Sequence, residues 1–397
     1  MEKGYWQEPA VLEFEALVAS VTPVADGLAV RLDTTYFYPE SGGQLADGGT
    51  VDGVRILTAQ QDEGGPYVIL PASTPIEVGA RVRCVVDGDL RKKHSQLHTA
   101  QHVLSKLLDR SGIATLSFHM TDEDASIEVG MPSVDQPMLE SLEDQVEDAI
   151  CQCLPVSSLF VEPTELASYG VRKVPDLGSA RLRLIRIGDL DVNPCGGTHV
   201  RCTGEIGAFN IYRTDKVRGN VRLYFVAGLT ATLYRRRALA ALSSVQRQLA
   251  CGLGDVVTAV DRLLEQTRFL ERESRMLADS LADSIARQLL EDAAQTGTAL
   301  RVLEGLPGDI VRRIVARLDE PTGPICIMAY TGDASVGQFA CVVPAGREPV
   351  AARLLENLRE RYGAHCGGSG THIQGRLDIR LDAGQLAELT GLLQSAQ

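Results

Sequence analysis

Two short stretches, His98-Thr99-Ala100-Gln101-His102 and Pro194-Cys195-Gly196-Gly197-Thr198-His199, decide how this chain is read. Around the first, Leu97, Val103, Leu104, Leu107 and Leu108 recur at spacings of three and four, which predicts a helix from His94 to Leu108 closed by Ser111-Gly112. Residues four apart on a helix share a face, so the two imidazoles project together. The second stretch carries a proline and two glycines, a tight turn whose backbone can bring Cys195 and His199 together. Three imidazoles and one thiolate form a sound first-row metal set, and zinc is the natural occupant of such mixed tetrahedra. Either half alone also reads as an ordinary surface pair; the two together point to a metal. A zincin protease is excluded, because its HExxH motif needs Glu where this chain has Thr99.

Outward from these motifs, 397 residues are enough for two or three domains, and 44% hydrophobic with 23% charged residues excludes wholesale disorder. No apolar run approaches the roughly 18 residues of a membrane helix. The N-terminal Met1–Glu8 carries acidic residues where a signal peptide needs an apolar stretch, so a soluble, cytoplasmic protein is expected. Nine scattered cysteines fit free thiols in a reducing compartment, with any special one a metal ligand or nucleophile.

The net charge of −13 gives no global push toward nucleic acid, but it is unevenly spread. Thr121–Glu165 holds 12 Asp/Glu and no Lys or Arg. Arg81–Arg110 has seven Lys/Arg against three Asp, and Arg172–Arg222 has ten against five acidic residues, which permits a basic face for a polyanion.

The first ~90 residues read as short strands between glycine-rich turns, with Leu28–Asp33 and Arg81–Val86 alternating, which suggests a small barrel or sandwich. Thr115–Val129 reads as extended. Pro137 opens a helix with Leu139, Leu142, Val146 and Ile150 on one face, its acidic side a solvated cover for a sheet. Leu233–Leu290 reads as two helices broken at Cys251-Gly252-Leu253-Gly254. In the second, Val256, Val260, Leu263, Leu270, Leu277 and Leu281 form an imperfect heptad, fitting a spacer hairpin or a dimer contact. After Gly297, Ile325–Met328 and Phe339–Val343 alternate with helical stretches, a separate α/β domain.

A third motif, Thr34-Thr35-Tyr36-Phe37-Tyr38-Pro39-Glu40-Ser41-Gly42-Gly43-Gln44, offers aromatic stacking surface beside hydrogen-bonding groups, as a pocket wall does, though it also reads as an aromatic strand entering a turn. FYPESGGQ, HTAQH, SFHM (Ser117–Met120) and CGGTHVRCTGEIG (Cys195–Gly207) occur in the order seen in the AlaX-type free-standing alanyl-tRNA editing proteins, which this chain resembles over roughly residues 1–227. The editing domain of alanyl-tRNA synthetase is similar. Gly367–His372 resembles a degenerate glycine-rich segment of the DHH-associated C-terminal domain of the synthetase and the long AlaX forms.

The resemblance implies trans hydrolysis of the ester joining serine or glycine to tRNA(Ala), and zinc held by His98, His102, Cys195 and His199. It also matches Thr35 to the position whose hydroxyl senses serine. His119 reads equally as a group near the reacting ester and as a histidine pinned in a strand, and Gln44 and Ser41 read as lining the same pocket. The expected architecture is α+β and multidomain: an N-terminal small β-barrel (1–90), an α+β zinc-containing editing domain (91–230), a helical spacer (231–296) that can pair in a homodimer, and a C-terminal α/β domain (297–397). Three rivals are set against this. A zinc-stabilised RNA-binding protein without catalysis keeps the metal and the basic stretches but shows no turnover. A DHH-type phosphoesterase lacks its Asp-His-His stretch here. A full synthetase needs an aminoacylation domain, for which no room is seen before the barrel-like segment.

Overall fold

The twelve-residue strand Glu13–Val24 organises the N-terminal sheet. Its first half pairs with Arg81–Val86 and its second half with Gly27–Leu32, with a register irregularity between Val18 and Ser20. Such a bulge adds a bend and a local twist. Seven strands of this sheet thereby gather Val18, Val30, Leu32, Val51, Val68, Leu70, Val82 and Val86 into one core. In this computed structural model the described residues are 2–171, 182–306, 309–330 and 336–394, and the chain divides into two units, Met1–Ser244 and Val245–Gln397. The start of the basic stretch from Arg172, Arg181 included, lies outside the described residues.

The histidine-bearing helix runs from Gly88 to Arg110, six residues earlier than its apolar spacing predicts. Asp87 caps it, its carboxylate accepting from the Leu90 N–H at 3.0 Å. Arg91 and His94 fill buried positions in the first turns, and a search for apolar spacing passes over both. The helix lays Leu97, Ala100, Val103, Leu104, Leu107 and Leu108 on a four-stranded antiparallel sheet, which answers with Met120, Ile127, Val129, Leu223 and Phe225. The Gln136–Cys151 helix closes the same core through Leu142, Val146 and Ile150. A smaller sheet of Val156–Val161, Leu182–Ile187 and Asp191–Pro194 delivers the chain to the Cys195 turn.

In the second unit, Ile325–Tyr330 is buried on both faces of a five-stranded sheet. Ile325 and Ile327 meet Ile310, Ile314 and the end of the 41-residue helix Val256–Thr296, through Ala282, Ala286 and Leu289. Cys326 and Met328 meet Leu354, Leu358 and Leu389 on the other side. Helices on both faces make this an α/β layer stack. The helical break falls where the glycines predict, between Gly228–Leu249 and Val256–Thr296. Gly367–His372 turns the hairpin between His365–Ser369 and His372–Leu377 at the sheet edge. Several sheets and helices in two units make the chain α+β and multidomain.

One buried ion pair ties the N-terminal sheet to the histidine helix. Arg91 Nε donates to Asp47 Oδ1 and Oδ2 at 3.0 and 3.1 Å, and the guanidinium also donates to the Pro9 and Tyr36 carbonyls. Asp47 in turn accepts from the Tyr38 N–H at 2.6 Å. Removing one partner leaves the other charge buried and unpaired, which costs about 3–5 kcal/mol. Asp47→Ala is therefore expected to lower unfolding free energy by that amount in urea titration, whereas an exposed pair such as Arg81–Glu15 should give under ~1 kcal/mol on the same treatment.

Candidate metal centre

His98 and His102 stand one turn apart on the helix, 4% and 5% exposed, with ring centroids 5.3 Å apart. The Cys195–His199 turn folds over them, so one ligand atom from each of His98, His102, Cys195 and His199 lies within 4.8 Å of the others. Cys195 Sγ is 3.4 Å from His98 Nε2 and 3.3 Å from His199 Nε2. Gly197 makes this approach possible. A Cβ there would sit 2.2 Å from His98 Cε1 and 2.6 Å from Gln44 Oε1.

The outer nitrogens of His98 and His199 are hydrogen-bonded, while that of His102 has no hydrogen bond among the described residues and faces a carboxylate. His98 Nδ1 donates to Gln44 Oε1 at 2.7 Å. Gln44 is itself fixed, accepting from the Thr198 N–H at 3.0 Å and donating from Nε2 to Thr198 Oγ1 at 2.8 Å. His199 Nδ1 donates to Thr99 Oγ1 at 3.1 Å, since that hydroxyl gives its own proton to the Ser95 carbonyl. Asp191 Oδ2 lies 3.5 Å from His102 Nδ1. Such outer partners set the tautomer that leaves Nε2 free to bind a metal.

The electrostatics agree with a thiolate among imidazoles. Burial pushes the Cys195 thiol up, but His98, His199 and His102 outweigh it and hold the group well below its ordinary value. Burial lowers His102, yet Cys195 and Asp191 carry it up to about 9. Burial dominates at His199 and takes it down to about 3. A metal requires the thiolate that this environment favours, and its binding would displace the proton that His102 otherwise carries.

The cluster opens on a cleft of about 600 Å³ walled by Tyr38, Ser41 and Gly42 on one side, the start of the Thr115–Met120 strand on another, and Asn193–Gly197 on a third. Phe118 stacks on His98 with ring centroids 5.3 Å apart. Strand alternation turns its neighbour His119 to solvent. Thr35 is 3% exposed, and its hydroxyl accepts from the Phe37 N–H at 3.2 Å. The fold thus brings Gln44 against His98 and the Cys195–His199 turn, while Thr35 sits on the short strand Thr34–Thr35 and is not among the described residues that line the cleft. Sequence reading missed Thr99 and Asp191. Thr99 was legible as the residue inside HTAQH that cannot be a base; Asp191 gave no local signal.

Residues 182–224 match the second additional domain of threonyl and alanyl tRNA synthetases. "Alanyl-tRNA editing protein Aarsd1" of Rattus norvegicus is 30% identical over 377 residues, covering 94% of this chain and 89% of that protein. "Alanyl-tRNA editing protein AlaX-L" of Pyrococcus horikoshii is 29% identical, covering 96% and 95%. "Alanine--tRNA ligase" of Archaeoglobus fulgidus is 29% identical, and there the chain spans 43% of the ligase. The segment that carries the Cys195 turn is thus of the synthetase-associated kind. The chain belongs to the family of alanyl-tRNA editing proteins.

Protein purified without chelators is expected to carry about one equivalent of a divalent first-row metal, and Cys195→Ala to lose most of it. Gln44→Leu deletes the acceptor for His98 Nδ1 and should weaken metal affinity about 10–100-fold in competition with a chelator. A metal-free wild type that retains full function would refute the assignment.

Proposed function

We propose that this protein hydrolyses, in trans, the ester that joins a wrong amino acid to tRNA(Ala), serine and glycine being the substrates, and that its metal is zinc. The observation that carries the reading is the His98–His102–Cys195–His199 cluster opening on the cleft beside Tyr38 and Ser41. Similarity to editing proteins along nearly their whole length supports it. An aminoacyl ester is already activated, so the site must orient water, polarise one carbonyl and exclude bulk solvent. Zinc, when bound, supplies a Lewis acid or an anchor for the substrate. Gln44 keeps His98 aimed, and Phe118 and Tyr38 wall the cleft. His119, on the far side of the strand, takes a peripheral part at the rim.

Within this reading, 91–230 is the editing domain, 1–90 its barrel-like companion, 231–296 the spacer and 297–397 the C-terminal domain. The protein acts in the cytoplasm, where its tRNA is. The spacer also offers a dimer contact, since Leu263, Leu270 and Leu277 along Val256–Thr296 are 51%, 61% and 71% exposed. Sedimentation velocity should then show a dimer that Leu270→Glu with Leu277→Glu converts to monomer; a monomeric wild type removes this part of the proposal.

Purified protein mixed with Ser-tRNA(Ala), Gly-tRNA(Ala) and Ala-tRNA(Ala) should release the first two amino acids and spare alanine. Binding without any release would favour a non-catalytic zinc-stabilised RNA-binding protein instead. Serine differs from alanine by one hydroxyl, and a site with a waiting polar partner exploits that far better than an apolar one. Thr35 is our candidate for that partner. Thr35→Val keeps the shape and should slow Ser-tRNA(Ala) hydrolysis about 10-fold, in line with ~1–3 kcal/mol for a lost buried partner, while barely altering Gly-tRNA(Ala). Equal losses on both substrates would make Thr35 a support of the Phe37 turn.

A further inference from the structure

Two side chains that are not ligands hold the metal turn from behind. Arg183 Nη1 donates to the Cys195 carbonyl at 3.0 Å and to the Gly197 carbonyl at 2.7 Å. Between them, Trp6 Nε1 donates to the Gly196 carbonyl at 2.8 Å. Arg183 is 5% exposed, and its guanidinium carbon lies 5.9 Å from the Trp6 ring centroid. Three successive carbonyls are therefore pinned by two neighbouring donors.

A trans peptide is planar, with its N–H opposite its carbonyl. No peptide bond is cis among the described residues. Pinning these carbonyls therefore aims the N–H groups of Gly196, Gly197 and Thr198 the other way, into the site. Two of them have partners there. The Gly197 N–H meets Cys195 Sγ at 3.3 Å, and the Thr198 N–H meets Gln44 Oε1 at 3.0 Å. The third, on Gly196, has no recorded acceptor among the described residues, and Gly196 lies in the cleft wall next to Cys195.

We infer that the Gly196 N–H is a preset donor to the oxygen that becomes negative during ester hydrolysis, and that Arg183 and Trp6 are the positioning residues that aim it. This rests on the hydrolase reading above. In that reaction the oxygen of water bonds to the ester carbonyl carbon, and the carbonyl π pair moves onto its oxygen. The pair then returns as the ester C–O bond breaks. The ribose oxygen leaves with one proton of the water, the amino acid departs as a carboxylate, and the other proton passes to solvent. A donor fixed before the charge forms stabilises it without reorganisation, and one such donor is worth about 10²–10³ in kcat.

Arg183 is not among the described residues that line the cleft, and its contacts with the turn are to carbonyls, so it acts through the turn. Its removal should misdirect the Gly196 N–H without deleting it, and the loss should fall on kcat. The experiment measures kcat, KM and metal content of the full chain on Ser-tRNA(Ala) for the wild type, Trp6→Phe and Arg183→Ala. Trp6→Phe keeps the ring and deletes one anchor; it should lower kcat about 10-fold, with KM within about threefold and metal content unchanged. Arg183→Ala should lower kcat about 100-fold and regain part of it in millimolar guanidinium, a recovery that a merely misfolded turn would not show. Unchanged kcat in Trp6→Phe overturns the inference. So does a loss in either variant that tracks loss of metal and is not recovered by guanidinium. A wild type that releases no amino acid overturns the hydrolase reading itself, which separates the two failures.

Discussion

Three imidazoles and a thiolate share one buried volume, and the first unit is arranged around making that tolerable. Each of these groups is costly to bury unpaired, at about 1–3 kcal/mol for a neutral polar atom and more for a charge. The cost is contained by hydrogen-bonding the outer nitrogens of His98 and His199, facing that of His102 toward the Asp191 carboxylate, and turning the inner atoms toward a common point. The partners come from three places. Gln44 belongs to the turn of the N-terminal segment, Thr99 to the helix itself, and Asp191 to the small sheet. Any metal held there would therefore be coupled to folding of this unit, because the site exists only when all three are in place.

The division between a rigid and a closely fitted half follows from the same requirement. The helix supplies His98 and His102 at a spacing set by its own geometry, and its apolar face is locked onto the four-stranded sheet. The turn must then approach to within contact of those rings. Gly197 permits this by having no side chain. Gly43, at φ +85°, does the same on the other wall, where a Cβ would lie 2.5 Å from the Phe118 carbonyl. Met120 N–H donates to the Gly43 carbonyl at 3.0 Å, so the aromatic-bearing turn is fastened to the strand that carries Phe118. Gly197 and Gly43 are thus places where the chain passes close to a neighbouring group, whereas a Cβ on Gly42 would meet nothing within 4 Å.

The clustering of His98, His102, Cys195 and His199 was legible because its information is local: an i, i+4 spacing and a glycine turn each survive in one dimension. The helix break at Cys251–Gly254 and the strand at Arg81–Val86 were legible for the same reason. What was not legible depends on pairings across the chain. Arg183 reads as one more charge in a mixed run, yet alternation places it inward, where the Cys195 and Gly197 carbonyls receive it. The acidic Gln136–Cys151 helix reads as a solvated cover. Part of it is instead structural: Glu143 accepts from the Ile211 N–H at 2.6 Å and Glu147 from the Phe209 N–H at 3.2 Å. Phe209–Val217 is an edge strand, and carboxylates capping its free N–H groups keep that edge from pairing with another chain. Composition gives the number of charges; only the fold says which of them have work inside the molecule.

The cleft's own charge bears on how a large polyanion would be handled. None of the described residues lining it is Lys or Arg, and Asp109 lies among them. Nucleic-acid affinity comes mainly from phosphates paired with cations and is steeply salt-dependent. A wall of this composition gains little from phosphate, and its polar groups suit an uncharged ester end, read by shape and by hydrogen bonds. For the proposed substrate, chemistry and affinity must therefore sit on different surfaces. Exposed cations such as Arg236 and Arg237 stand apart from the metal-ligand cluster in sequence and do not line the cleft. Separation has a kinetic consequence: binding energy drawn from a remote surface can hold the tRNA while the local site discriminates on a single hydroxyl. A site that had to grip the phosphates itself would bind correct and incorrect esters alike, and the small side chain's own contacts would be swamped by those that both esters share.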